Sequence, residues 1–460
     1  MSSILKRPAE EVEIPFSILD TDLYKLTMQN AVLHHFYDSQ VVIKFTNRAP
    51  HMLFNKECFD WVVKHVNRLS ELQLQREERI SLQNAYPWFN DKYLDYLQNM
   101  KLDPKNQVKL TFHPKPRLDD NSGDNDNEEY GEIECIIKGP WRDTILYEVP
   151  IMSILSEGYF KFVDTDWDYN GQFELAKRKA SDLLSPPKPT NPLVFSEFGT
   201  RRRRSFFTQD TIIRGLIAGF DEYKSNGGQG GLLAGTSNVY LALKYGLKPA
   251  GTIAHEWIMA IGATYGYQGA NGRAMDMWEQ VYPPGPDGAP LTMLTDTYTA
   301  QAFFVDFISS PERALRWSTL RQDSGDPFAF VQSAKEAWKV IEDKSGIKRE
   351  DGVVAKGRRV IFSDGLDIQK AIELQKGCDE IGMSASFGIG TFLTNDFKKA
   401  SNPTETSKPL NIVIKLNQID GKNCVKLSDD KGKFTGDVEE VKRAQEELHL
   451  PRDHEEKRRG

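Results

Sequence analysis

The sequence is short of cysteine, of long apolar runs and of positive charge, and each shortage removes a class of protein. Its four cysteines, Cys58, Cys135, Cys378 and Cys424, are spread through 460 residues without metal-like or redox spacing. Reduced thiols are therefore expected, and no disulfide framework is implied. No apolar stretch approaches the roughly 18 residues that cross a bilayer, and residues 1–8 carry no apolar signal core. A cytoplasmic protein is expected, with nuclear entry left open. The net charge of −7 gives no general attraction to nucleic acid or anionic membranes. No internal repeat is visible. Against these absences stand 39% hydrophobic and 27% charged residues, an ordinary globular balance, and a length that suggests two or three domains at about 150 residues each.

The chain opens with a helix expected from about residue 17 to 33, with Ser17 or Asp20 as its cap. A strand is expected at 41–46, a helical layer over 53–99, where Phe59, Val62, Val63, Val66 and Leu69 recur at helical spacing, and strands at 108–112 and 133–137. The acidic run 119–129 reads as a solvated loop with no metal site. After an amphipathic stretch at 141–163, seven short β-type segments alternate with helical ones: 193–195, 232–234, 251–254, 291–295, 320–322, 360–362 and 384–387. That alternation predicts a parallel sheet, most economically an α/β barrel, whose ligands would meet residues just past the strand ends. Segments 412–416 and 424–427 flank Asp420-Gly421 and predict a hairpin returning to the first sheet, followed by a charged helix from Asp437.

The densest charge lies at Ser196-Glu197-Phe198-Gly199-Thr200-Arg201-Arg202-Arg203-Arg204. Four guanidinium groups at the start of a helical stretch oppose the helix dipole, so the run is read as an anion-handling centre. Other polar turns follow the β segments: Gly235-Thr236-Ser237-Asn238; Gly251-Thr252-Ile253-Ala254-His255-Glu256; Thr295-Asp296-Thr297; Arg321-Gln322-Asp323-Ser324-Gly325-Asp326-Pro327; Ser363-Asp364-Gly365; and Phe387-Gly388-Ile389-Gly390-Thr391. His255 is the only histidine between residues 114 and 448 and can act as acid, base or nucleophile near neutral pH. Asp296, Asp323 and Asp326 suit either helix capping or Mg²⁺. The glycines let backbone N–H groups surround a phosphate.

Together with Asp20-Thr21-Asp22-Leu23-Tyr24-Lys25, these motifs, in order from about residue 17 to 445, resemble the nicotinate phosphoribosyltransferase family in its fungal form. The resemblance implies an irregular α/β barrel of the type II phosphoribosyltransferase kind (165–400), an N-terminal α/β domain (1–164), and a C-terminal hairpin and helix packing back on it (401–460). It implies that nicotinate, 5-phosphoribosyl 1-diphosphate, ATP and water give nicotinate mononucleotide, diphosphate, ADP and phosphate, the first step of NAD synthesis from nicotinate. Mg²⁺ would assist, ATP would be a co-substrate, no organic cofactor would be tightly bound, and the enzyme would be a monomer or homodimer.

By the same resemblance, Phe198 and Tyr24 would sandwich the pyridine ring, and Arg321 with Thr252 would meet its carboxylate. Arg201, Gly388, Gly390 and Thr391 would hold the phosphoribosyl groups, with Asp296 and Asp364 near the ribose and in the outer shell of Mg²⁺. His255 would take a phosphoryl group from ATP. Glu197 joins His255, Arg321 and Asp296 as a catalytic candidate; Asp323, Ser363 and Gly365 join the substrate-binding set. Ser237 stands where nicotinamide-using relatives carry an acidic residue, and favours nicotinate over that alternative. A non-catalytic, nucleotide-sensing barrel is the other alternative.

Overall fold

The computed structural model describes residues 5, 7–116, 129–251, 253–285, 288–289, 291–347, 357–430 and 432–451. Two six-stranded sheets organise it. The first is antiparallel and contains β1 (Gln40–Asn47), β2 (Phe54–Asn55), β3 (Val108–Pro114) and β4 (Tyr130–Pro140), as well as two strands from the far end of the chain. In β4, alternate residues Ile133, Cys135 and Ile137 are buried, the period-two pattern of a sheet with one covered face. The helices Lys56–Asn67, Arg76–Ala85 and Asp91–Asn99 supply the expected helical layer. The acidic-run expectation falls largely on residues 117–128, outside the described residues.

The second sheet is parallel throughout: β5 (Val194–Glu197), β6 (Leu232–Thr236), β7 (Thr292–Leu294), β8 (Thr319–Gln322), β9 (Arg359–Phe362) and β10 (Ser384–Ile389), in the order β6-β5-β10-β9-β8-β7. Six of the seven expected segments are strands. Residues 251, 253 and 254 are not, and among the described residues no ladder joins β6 to β7. The cause is local. Residues 248–250 run briefly along β6, where Ala250 N–H donates to Thr236 O at 2.9 Å. Pro249, paired with Thr236, has no N–H to give, and Gly251, at φ 130°, then turns the chain away. Gly235 permits this close approach, because a Cβ there would lie 1.6 Å from Lys248 O.

The remaining short strands β11 (Phe397–Lys398) and β12 (Thr406–Ser407) pair with each other. Then β13 (Ile412–Ile419) runs antiparallel beside β1, Val41 opposite Ile419 and Asn47 opposite Ile412. Asp420 and Gly421, at φ 47° and 76°, make the expected tight turn. The return strand β14 is only Lys422–Asn423, and after Cys424 the chain leaves the hairpin, Leu427 N–H donating to Thr297 O at 2.8 Å beyond β7. This departure brings Lys426 to the site described below. The expected charged helix is Val438–Glu447, capped by Asp437.

The first helix begins at Leu23, later than expected. Neither Ser17 nor Asp20 caps it: Ser17 Oγ donates to Glu78 at 2.5 Å, and Asp20 pairs with Arg203. Among the described residues no helix is long and apolar enough to cross a membrane.

Candidate functional site

Parallel strands end in turns whose backbone N–H and C=O groups are free to face a ligand, and here five of the six strand ends surround one cavity of about 640 Å³ or the floor beneath it. β5 leads into Phe198, Gly199, Arg201 and Arg202, and β8 into Asp323 and Ser324. β9 leads into Ser363, Asp364 and Gly365, and β10 into Gly390 and Thr391; Arg321, near the end of β8, and His255 complete this part of the lining. β7 leads into Asp296 and Thr297, which are buried beneath.

His255 opens the helix His255–Tyr265 and is largely buried. Its Nδ1 lies 2.9 Å from Thr297 Oγ1, and its Nε2 lies 3.0 Å from Lys426 Nζ, 3.3 Å from Asp323 Oδ2 and 3.9 Å from Asp296 Oδ1. Burial, followed by the neighbouring Lys426 charge, pushes the imidazole pKa below its usual value; Asp296 and Asp323 oppose that shift incompletely. Nε2 thus faces both an ammonium donor and a carboxylate acceptor, and Nδ1 faces a hydroxyl that can donate or accept, so the neutral ring can carry its proton on either nitrogen. Asp323 stays ionised: burial raises its pKa, but Arg321, His255 and Lys426 together hold it well below the usual carboxylate range. Its Oδ1 accepts from Arg321 Nη2 at 2.9 Å and from Ser363 Oγ at 2.5 Å. Arg321 Nε also donates to Ser363 Oγ at 2.8 Å, so Arg321, Asp323 and Ser363 orient one another.

Asp296 accepts from Ser324 Oγ at 2.6 Å and Lys426 Nζ at 2.8 Å. Its Oδ1 is buried without a hydrogen-bond partner. One ligand atom from each of His255, Asp296 and Asp323 falls within 4.8 Å of the others. Such a set of oxygens and one imidazole suits a divalent cation.

The four successive arginines do not act together, which corrects the reading of residues 201–204 as a single anion-handling centre. Arg201 and Arg202 line the cavity. Arg203 is fully buried and grips both oxygens of Asp20 at 2.7 and 2.6 Å. Arg204 is also buried, bonded to Ser407 Oγ at 2.7 Å and stacked 3.7 Å from the Phe160 ring centre.

Other expected contacts are displaced from the cavity wall. Glu197 is wholly buried behind the turn, accepting from Thr236 Oγ1 at 2.6 Å, Gln209 Nε2 at 2.9 Å and Gly199 N–H, so it shapes the turn rather than meeting a ligand. Ser237 Oγ donates to Asp22 at 2.7 Å, so its hydroxyl is engaged away from the cavity. Gly388 lies against the Phe198 ring, where a Cβ would come within 2.3 Å of the ring edge; its bareness seats that ring. Tyr24 is buried, its hydroxyl donating to Glu148 at 3.3 Å and its ring 5.8 Å from the Arg201 guanidinium; it is not part of the cavity lining. Thr252 lies outside the described residues.

Sequence reasoning missed Arg48, Lys415, Lys426 and Lys433, which add cations to the wall. Lys415 and Lys426 stood in segments read as a plain hairpin. Their signal was a lysine within an otherwise apolar strand pattern, which is too common to single out.

The chain matches the models of the nicotinate phosphoribosyltransferase (NAPRTase) family over residues 193–452 and of the NAPRTase N-terminal domain over residues 19–156. It is 39% identical to a nicotinate phosphoribosyltransferase of Saccharomyces cerevisiae, covering 94% of each chain, and 36% identical to one of Methanosarcina acetivorans, covering 92% of this chain and 95% of the relative. A nicotinate phosphoribosyltransferase structure from Porphyromonas gingivalis superposes with a TM-score of 0.78 at 34% identity, over 95% of this chain and all of that one.

Proposed function

The chain belongs to the nicotinate phosphoribosyltransferase family, and on that premise we propose that it joins nicotinate to 5-phosphoribosyl 1-diphosphate, with ATP hydrolysis coupled through His255. The observation that carries this reading is the meeting of Phe198, Arg201, His255, Arg321 and Thr391 on one cavity, from segments separated by nearly two hundred residues. An aromatic face suits the pyridine ring, guanidinium groups suit its carboxylate and the phosphates, and the cations Arg48, Arg202, Lys415 and Lys426 suit the diphosphate.

In the transfer, the nicotinate ring nitrogen forms a bond to ribose C1 as the bond from C1 to the diphosphate oxygen breaks. The nitrogen is already a nucleophile, so no protein base is required. The residues around it stabilise the cationic ribose and the departing charge, and their fixed placement is the main catalytic contribution. In the coupled reaction, an imidazole nitrogen of His255 takes the γ-phosphoryl group as the bond to ADP breaks, and water later releases phosphate. The low imidazole pKa keeps a lone pair available.

The unpartnered Asp296 Oδ1, with Asp323 beside it, fits Mg²⁺, and these two carboxylates would hold it directly or through water. When bound, the ion would neutralise polyphosphate charge. Asp364 lines the cavity wall and would take an outer role.

Diphosphate release, measured with nicotinate or nicotinamide and with or without ATP, tests the reading. Release with nicotinate, stimulated by ATP, together with ³²P transfer from γ-labelled ATP to His255, is expected. Preference for nicotinamide overturns the substrate assignment, and a protein that takes no label overturns the role of His255.

A further inference from the structure

His255 and Arg201 lie on different segments of the cavity wall, yet a chain of charges runs behind the wall from Glu256, the residue after His255, to Arg201. Glu256 follows His255 in the first turn of the same helix. Its Oε2 is 2.5 Å from Lys25 Nζ, and its Oε1 accepts from Trp141 Nε1 at 2.6 Å. The same Lys25 ammonium is 2.5 Å from Glu148 Oε2. Glu148 Oε1, in turn, accepts from Arg201 Nη1 at 3.2 Å. The Lys25 side chain is 1% exposed, and those of Glu148 and Glu256 are 11% and 10% exposed.

The two groups in the middle of this chain keep their charge. Burial opposes ionisation of Lys25, but Glu148 and Glu256 outweigh it and raise the ammonium pKa. Burial likewise raises Glu148, and Lys25 with Arg201 brings it below its usual value. Two anions and two cations thus alternate and balance, and the single ammonium between the carboxylates is what lets them approach.

We infer that Lys25 is a positioning residue that couples the charge state of His255 to the hold on Arg201, through Glu256 and Glu148. This inference rests on the proposed phosphorylation of His255. A phosphoryl group adds up to about two negative charges one residue from Glu256. That charge changes how Lys25 divides between Glu256 and Glu148, and therefore how firmly Glu148 retains the guanidinium of Arg201 at the cavity edge. A coupling of this kind is read as an ATP-dependent change in the KM for 5-phosphoribosyl 1-diphosphate.

The test compares wild type with Lys25→Met, which removes the charge while keeping length, and with Lys25→Arg. Two quantities are read: ³²P incorporation at His255, and the ratio of KM values for 5-phosphoribosyl 1-diphosphate with and without ATP. For wild type a ratio differing from one by at least about fivefold is expected. Lys25→Met should keep its label within about twofold while the ratio falls to about one; Lys25→Arg should restore part of it. Glu256→Gln preserves the shape beside Trp141 and is read in the same way, so a Lys25→Met protein that fails to fold does not remove the test. A merely structural Lys25 would shift both KM values and the melting temperature together and leave the ratio intact. An intact ratio in Lys25→Met and Glu256→Gln, loss of labelling in a folded variant, or a wild-type KM indifferent to ATP overturns the coupling. Absence of label in wild type instead overturns the phosphohistidine reading, and the coupling falls with its premise.

Discussion

Arg201 and Arg202 face a cavity, whereas Arg203 and Arg204, the next two residues, are built into the interior. The 3₁₀ turn Thr200–Arg202 directs the first pair toward the strand ends, and extended backbone at Arg203 then sends the chain inward before the helix Phe206–Ser225 begins. Each buried member has its own solution for a guanidinium without water. Arg203 has the carboxylate of Asp20, while Arg204 has a hydroxyl, a carbonyl and the faces of Phe160 and Phe397. One residue type in an unbroken run thus serves ligand contact and architecture, and the partner decides which.

The contrast is broken most severely at Arg203. Arg203→Ala leaves Asp20 buried beside Asn238 with no cation, and should cost about 3–5 kcal/mol in unfolding free energy, measured by chemical denaturation. A loss below about 1 kcal/mol would show that Asp20 does not depend on Arg203. Arg201→Ala should do the reverse. Its side chain is 39% exposed, so stability should change by about 1 kcal/mol or less. Removing a positioned cation from the site should lower kcat/KM about 10²-fold, or roughly 3 kcal/mol.

Arg204 sharpens the comparison between the two buried arginines. Burial acts against its charge, and its nearest acid, Asp164, reaches it through the Ser407 hydroxyl, which donates to Asp164 Oδ2 at 2.7 Å. Arg204→Met keeps the aromatic packing, removes an expensive charge and forfeits two hydrogen bonds. The net cost should be about 1–2 kcal/mol, clearly less than at Arg203, with activity unchanged. Parity between the two variants in denaturation would mean that the carboxylate is not what distinguishes them.

Such distinctions mark the limit of what the chain discloses before it folds. The alternation of β and helical segments was legible because parallel strands and their covering helices have different periods, and six of seven strands were found where that alternation put them. Strand-end polar turns were legible for the same reason: once a strand is located, its following residues are located too. The absence of a strand at 251–254 beside β6 was not legible, because it depends on Lys248, Pro249 and Ala250 meeting Gly235 and Thr236 across space. Nor was the fate of Ser237 or Glu197, whose polar atoms are engaged by Asp22, Gln209 and Thr236 from other segments. Lys426 was hidden most completely, since the hairpin pattern predicted a strand where the chain in fact departs for His255.

Lys415 offers the smallest effect and extends the comparison to a cation held without a buried carboxylate of its own. It lines the cavity, and burial, with the repulsion of Lys426 and Arg48, brings its pKa down to about 7. An unfolded lysine titrates near about 10.4, so between these values the unfolded chain binds the proton and the folded one does not. Stability attributable to this residue therefore rises with pH across that window; the penalty is complete below about pH 7 and disappears toward about pH 10. Lys415→Met should be the more stable protein in denaturation at about pH 6, with its advantage shrinking as pH rises. A diphosphate seated against Lys415 supplies the missing counter-charge, raising its pKa and drawing up to about one proton from solution near pH 8. Titration calorimetry in buffers of different ionisation enthalpy should register that uptake in wild type and lose it in Lys415→Met, whereas equal uptake by both proteins would assign the proton to another group.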